Sequence, residues 1–441
     1  MATFSYYLLY IMFSIAFAEG VLAVLGIHEA ITHLGINAIE ILLFLISSYF
    51  MLKDKKIKFI GFWSLMLLLV ATVTSFLIND ISLLHMVFFI KVFILPILFL
   101  MALLNIPFTN EQSKKILKYI SLLFIIQIPA AIIKTSLVGF QEDYMGTVSI
   151  EAGSVATILP LIAIAYIFSY YQYTSRKSSL ILLPLFIFVS ISCSKLGIVP
   201  YLLALLLLLY FLKDINRFFS ITTIKAGAVF ITVSYLILYI FVIMTPRANP
   251  DGVVGGRFDI VYALNFANTY ISRENEEAII VGVARKDAPM AVYNIMSQKG
   301  LLHILLGFGP GDIVMSSYLE EYYDPLYEKY HLGYGARTGF IWTTMQVGII
   351  GTFFYLLFQL TLFRQVYRDY KSRTDEHDKT LLLGTIGISI IFILDYFTYS
   401  TTLLIQPAMT LTYFYIFYYA IKYKYFNYIS LDTLKQKASR R

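Results

Sequence analysis

Apolar runs recur along the whole sequence, at 4–25, 34–52, 59–78, 83–104, 116–134, 153–173, 180–193, 197–212, 225–244, 338–362, 380–395 and 403–421. About 20 apolar residues in a helix cross a bilayer, so the runs amount to about twelve spans. In lipid every backbone group needs a partner within the protein, and for runs of this length only a helix supplies it. The expected fold is therefore an all-α polytopic membrane protein. Composition agrees: the chain is 59% hydrophobic and 14% charged, where soluble domains sit near roughly 45–50% and 25%. Its mean hydropathy is +0.75. The single cysteine, Cys193, excludes an internal disulfide framework and a cysteine-based metal site. Ala16-Phe17-Ala18 has the form of a signal-peptidase site. No positive residue precedes it within residues 1–9, so the first run is read as a span.

The net charge of +7 does not suggest a nucleic-acid partner, because the basic residues lie in short loops and set orientation. One alternating set of loops holds Lys53 to Lys58, Lys114 to Lys118, Arg176, Lys177, Lys213, Arg217 and the cluster from Arg364 to Lys379. The tail from Lys422 to Arg441 belongs to the same set, and its basic residues suit anionic lipid. The set is cytoplasmic by the positive-inside rule, as are both termini. The long polar segment 245–337 then faces outward. A loop this long between spans is usually functional. The chain accordingly divides into nine spans over 1–244, the outer loop over 245–337, three spans over 338–421 and a basic tail over 422–441. Inside the loop, 257–270, 288–297, 300–306 and 312–323 have helical patterning, with Asp312 placed to cap the last.

Ionisable residues inside the spans share one half of the membrane. Glu19 and Glu40 lie about six residues from the outer ends of their spans and Lys91 about eight, roughly 9–12 Å deep at 1.5 Å per residue. Lys134, Glu151, Lys195 and Asp395 lie at outer ends. A charge in hydrocarbon costs at least about 2.5 kcal/mol, so such groups pair or face water. Together they predict a polar cavity open to the outside and sealed below. Lys91 with Glu40 as a structural ion pair is the simpler alternative.

No nucleotide-binding glycine motif, metal-spaced His/Cys cluster, Asp-x-Asp pair or nucleophile elbow is present. Arg247, Arg257 and Arg337 mark where the outer loop leaves and re-enters the membrane. Arginine forks match phosphate oxygens. With Lys91 and Lys195 they would suit a diphosphate at the membrane surface.

Several short stretches carry a family resemblance. Ser192-Cys193-Ser194-Lys195-Leu196-Gly197 breaks two mid-chain spans. Gly255-Gly256-Arg257-Phe258 opens the outer loop, and Leu306-Gly307-Phe308-Gly309-Pro310-Gly311 forms a glycine turn. Arg337-Thr338-Gly339-Phe340 through Gln346-Val347-Gly348-Ile349-Ile350-Gly351 forms the return helix. In this order they resemble the O-antigen polymerase and ligase family, the Wzy-like bacterial membrane glycosyltransferases of the C-type superfamily. Lys195 stands where the family has arginine. Arg337-Thr338 stands where many members have His-Asn, and Gln346 where a glutamate is common, so a mechanism built on that histidine does not transfer.

The resemblance implies a multi-pass enzyme of the bacterial cytoplasmic membrane with an extracytoplasmic active site. It would polymerise lipid-linked repeat units for O-antigen, capsule or exopolysaccharide. A glycan would pass from undecaprenyl diphosphate to a sugar hydroxyl of another lipid-linked unit. A ligase joining finished polymer to another acceptor is the near alternative. A flippase or transporter is the distant one, and it should show internal repeats and charges in the inner half. Arg257, Arg337, Arg247 and Lys195 are the expected cations, with Lys91, Gly307 and Gly309 as further substrate contacts. Glu151, Asp395 and His331 are the candidate bases. No cofactor and no metal are expected. Expected partners are the lipid-linked oligosaccharide and membrane lipid, with a chain-length regulator and a flippase as possible protein partners.

Overall fold

A computed structural model describes the chain except residues 55–56, 141–142, 152, 194–197, 214–220, 273–282, 284, 314–325, 327–328, 333–335, 399–401 and 439–441. Among the described residues the regular structure is helical apart from one short hairpin, and eight helices are long and apolar enough to cross a membrane. They are α1 (Ala2–Val24), α2 (Glu29–Asp54), α3 (Phe62–Asn79), α4 (Leu83–Asn105), α5 (Asn110–Val138), α6 (Val155–Thr174), α13 (Gly339–Ser372) and α14 (Glu376–Thr398). Between them come α7 (Leu182–Ser192), α8 (Ile198–Lys213) and α9 (Ile221–Met244), which contain shorter apolar segments. The segment 245–337 contributes α10 (Ile260–Ser272), α11 (Ala288–Gln298) and α12 (Leu301–Leu306). The last apolar run is two helices, α15 (Thr402–Ile405) and α16 (Pro407–Ala438). Pro407 lacks an N–H and suits the first position of a new helix, so the run divides there.

Helices α6 and α14 form the centre. Each buries 72% of its most apolar stretch, where α2, α3 and α5 bury 33%. Small residues let the central pair approach. Gly384 lies against the Tyr166 ring, Gly387 against Ala165, Leu205 and Leu209, and the Tyr166 hydroxyl meets Thr385 Oγ1 at 2.9 Å. Peripheral helices keep large apolar side chains exposed, among them Leu45, Trp63, Val70 and Leu137. That is the pattern of helices facing lipid tails.

Three irregularities shape one end of the bundle. Helix α4 contains a π-helical turn, Ile90–Ile94, which carries Lys91. Helix α13 is broken at Gly348, whose φ of 66° and ψ of −174° are not helical. Between α5 and α6 stands an antiparallel hairpin, β1 (Asp143–Met145) with β2 (Ser149–Glu151), pairing Asp143 with Glu151. Its tip is wedged between α1 and α5. Thr147 donates to Phe17 O at 2.6 Å and its carbonyl accepts from Gly20 N at 3.0 Å. Gln127 closes the turn, its Oε1 accepting from Thr147 N at 2.9 Å. Non-helical backbone at this depth survives because these partners bury it in protein.

Lys134 donates to Ser192 O at 2.7 Å and so places a cation at the carbonyl end of α7, where the helix dipole favours one.

Candidate functional site

The glycine turn 307–311 docks at the end where α3 joins α4. Asn79 Nδ2 donates to Gly307 O at 3.2 Å. The glycine turn then pairs with the broken helix. Phe308 N donates to Met345 O at 2.7 Å, Gly309 N to Gln346 O at 3.1 Å, and Gly311 N to Gln346 Oε1 at 2.9 Å. The break at Gly348 withdraws the helical N–H groups that these carbonyls would otherwise meet. A Cβ on Gly348 would stand 2.2 Å from Leu305 O, and one on Gly311 1.9 Å from His85 O. The glycines therefore allow backbone to lie against backbone. Gly307 and Gly309 serve this contact, and both have positive φ.

Gln346 is fully buried and uses both ends of its amide, because its Nε2 also donates to Trp342 O at 3.0 Å. A carboxylate here would have no hydrogen to offer that carbonyl. Glutamine, with a donor and an acceptor on one amide, serves both contacts.

A charged pocket lies at the same end, between α1, α2 and α4. Glu19 is 5% exposed and Glu40 4%. His33 Nε2 lies 3.0 Å from Glu19 Oε1 and 3.6 Å from Glu29 Oε1. Lys91 on the π-turn is partly buried and lies within electrostatic reach of Glu29, Glu40 and Glu19 together. Three side chains singled out from sequence, Glu19, Glu40 and Lys91, are thus gathered in one place. Sequence reasoning missed Glu29 and His33. The signal was their spacing of four, which puts both on one face of α2.

Phe93, two residues after Lys91, packs on Trp342 at 6.3 Å and on Tyr355 at 5.8 Å between ring centroids. Tyr355 in turn lies 5.6 Å from Tyr396. This aromatic chain leads from the charged pocket to the start of α13. There Thr338 caps the helix by accepting from Ile341 N, Gly339 abuts the Tyr396 ring and Thr343 Oγ1 bonds the Tyr396 hydroxyl. Asp395, 1% exposed, precedes Tyr396 at this level, and Arg337 stands half-buried just before the cap.

Arg257 is exposed, and its backbone N–H donates to Asp251 Oδ2 at 2.5 Å. The nearby loop is organised by Asn249, whose Nδ2 donates to the carbonyls of Val242, Thr245 and Val253. His331 is exposed in a turn with φ of 54°. Arg247 lies in the short turn Pro246–Ala248 and Glu151 in β2, but their side chains are outside the described residues. Lys195 lies outside them entirely, as does most of the helix expected over 312–323. Asp312 itself accepts from Lys329 Nζ at 2.6 Å and from the Tyr330 hydroxyl at 2.5 Å, and the helix it is expected to cap lies outside the described residues.

Comparison with protein-family models and with curated proteins finds no match.

Proposed function

We propose that the protein is a glycan polymerase of the bacterial cytoplasmic membrane, acting on lipid-linked repeat units at the extracytoplasmic face. In this reading the chain has about twelve spans, both termini are cytoplasmic, and 245–337 is an outer loop. The observation that carries it is the meeting of two things at one end of the bundle. The buried charges Glu19, Glu40 and Lys91 gather there, and the glycine turn of the long polar segment docks there.

Transfer of a glycan from undecaprenyl diphosphate needs cations on the departing diphosphate and a base at the acceptor hydroxyl. Arg337, Arg257, Arg247 and Lys195 are the cations of this proposal. Asp395 is the preferred base, because it is buried and directly precedes Tyr396, whose ring lies against Gly339, two residues after Arg337. His331, exposed in its turn, suits that role less well.

The test is surface glycan chain length in a host deleted for the gene and complemented with variants. Arg257→Lys and Arg337→Lys should fail nearly as badly as the alanine variants, because lysine keeps the charge and loses the planar fork. Each should lower the polymerisation rate roughly a hundredfold to a thousandfold, the loss typical of one transition-state donor. Single repeat units should then appear on the surface while the protein stays at normal levels in the membrane. Long chains retained on the lipid carrier would indicate ligation instead. Full-length surface glycan from both alanine variants would sink the proposal.

A further inference from the structure

We propose that Glu19, Glu29 and His33 form a binding site for a divalent transition-metal ion such as Mn2+ or Zn2+. One ligand atom from each side chain lies within 4.8 Å of the other two. The separations of 3.0 Å and 3.6 Å from His33 Nε2 to the two carboxylates bracket the edge of about 3.4 Å that a tetrahedral ion with bonds near 2.1 Å requires. Two carboxylate oxygens and one imidazole nitrogen form a donor set suited to ions of this class. Three protein ligands leave a coordination position open, as in sites that bind a water or substrate oxygen.

Two further observations point to an ion. The first is Glu19 itself. Its side chain is 6% exposed, its Oε1 faces His33, its Oε2 is buried with no donor group among the described residues, and Glu29 stands within hydrogen-bond reach as a second acid. A buried carboxylate oxygen left in that state is costly unless something else satisfies it. The second is the balance of groups. Among the described residues the ionisable groups around the pocket are Glu19 from α1, His28 just before α2, Glu29, His33 and Glu40 from α2, and Lys91 from α4. Three carboxyl groups thus share this space with one amino group, more acceptor oxygens than one lysine can serve, and a divalent ion would supply the missing partner. The route in is also present. The Glu29 side chain is 49% exposed and His33 15%, so the site opens on the side where the long polar segment docks.

The site stands without the glycan-transfer reading. If both hold, the ion would supply the open position for a diphosphate oxygen of the donor.

The experiment uses the full chain purified in detergent, stripped with EDTA and titrated with Mn2+ alone or Zn2+ alone. Bound metal is measured by mass spectrometry and Mn2+ by its paramagnetic resonance signal. Wild type should take up about one equivalent saturably, as a dedicated site does. Glu19→Gln and His33→Ala should weaken binding by more than the roughly 10–100-fold typical of changes outside the ligand set. Glu111→Gln, an exposed carboxylate paired with Lys115, should bind as wild type does. Equal affinity in wild type, Glu19→Gln and His33→Ala would overturn the site. Should those variants fail to fold, wild type alone decides. Mn2+ should raise its thermal midpoint by linkage, and no saturable uptake with no rise overturns the proposal. No glycan substrate enters the assay, so failure of the polymerase reading leaves this result intact.

Discussion

The charged pocket and the docked glycine turn sit at the same end of the bundle and are held by opposite means. The pocket is made of long side chains, Glu19, Glu29, His33, Glu40 and Lys91, whose charges must balance. The docked turn is made of residues with almost no side chain, Gly307, Gly309, Gly311 and Gly348, which let carbonyls and N–H groups meet directly. A side-chain assembly can be neutralised in compensating pairs, because removing both members of a charge pair removes the imbalance. A backbone assembly has no such remedy. Any Cβ there meets main chain that cannot rotate away.

The largest effect should therefore come from Gly348→Ala. The new Cβ would stand 2.2 Å from Leu305 O, at a backbone conformation that alanine rarely adopts. Strain and overpacking together should cost about 5 kcal/mol. Loss of monodisperse protein on size exclusion, and of the thermal transition, is the expected readout. An alanine variant as stable as wild type would mean that α13 is not broken at Gly348.

Lys91→Met should come next. It leaves Glu40 and Glu19 without their cation and should destabilise by about 3 kcal/mol, the low end for a broken buried pair because Lys91 is only partly buried. The double variant Lys91→Met with Glu40→Gln should recover much of that loss, with a coupling of about 1 kcal/mol or more. Thermal or denaturant midpoints of the two singles and the double measure it. Strict additivity would show that the pocket does not balance as a unit.

Gln346→Glu tests the junction of the two regions with the smallest step. It removes the donor to Trp342 O and buries a carboxyl, and should cost about 2 kcal/mol. Gln346→Met, which offers the fold neither a donor to Trp342 nor an acceptor for Gly311, should cost a comparable amount. A stable glutamate variant would say that the side-chain amide is incidental.

The two regions also differ in how far the sequence discloses them. Glu19, Glu40 and Lys91 stand out because a charge inside an apolar run is conspicuous, and their shared depth follows from helical rise alone. His33 does not stand out. It lies near a helix start, and its role appears only when α1 folds back beside α2 and brings Glu19 to it. The break at Gly348 is hidden for a different reason. Gln346-Val347-Gly348-Ile349-Ile350 continues an apolar helical pattern, and a single glycine within it reads as ordinary packing. Its backbone conformation depends on the arrival of 307–311 from elsewhere in the chain. The split at Gln406 before Pro407 was legible from proline chemistry, yet a count of apolar residues runs straight through it.

The hairpin tip at Thr147 carries a consequence for biogenesis. Thr147 bonds Phe17 across 130 residues of sequence. At ribosomal speeds of about 5–20 residues per second, the partner of Phe17 emerges roughly 7–26 s after α1 does. During that interval α1 sits in the membrane or its insertion machinery with its Gly20 face open, the face that the later hairpin covers. The first helix to be synthesised is thus among the later ones to be completed. A nascent chain stalled before residue 143 should expose α1 to crosslinking by neighbouring membrane components, and one stalled well past residue 151 should not.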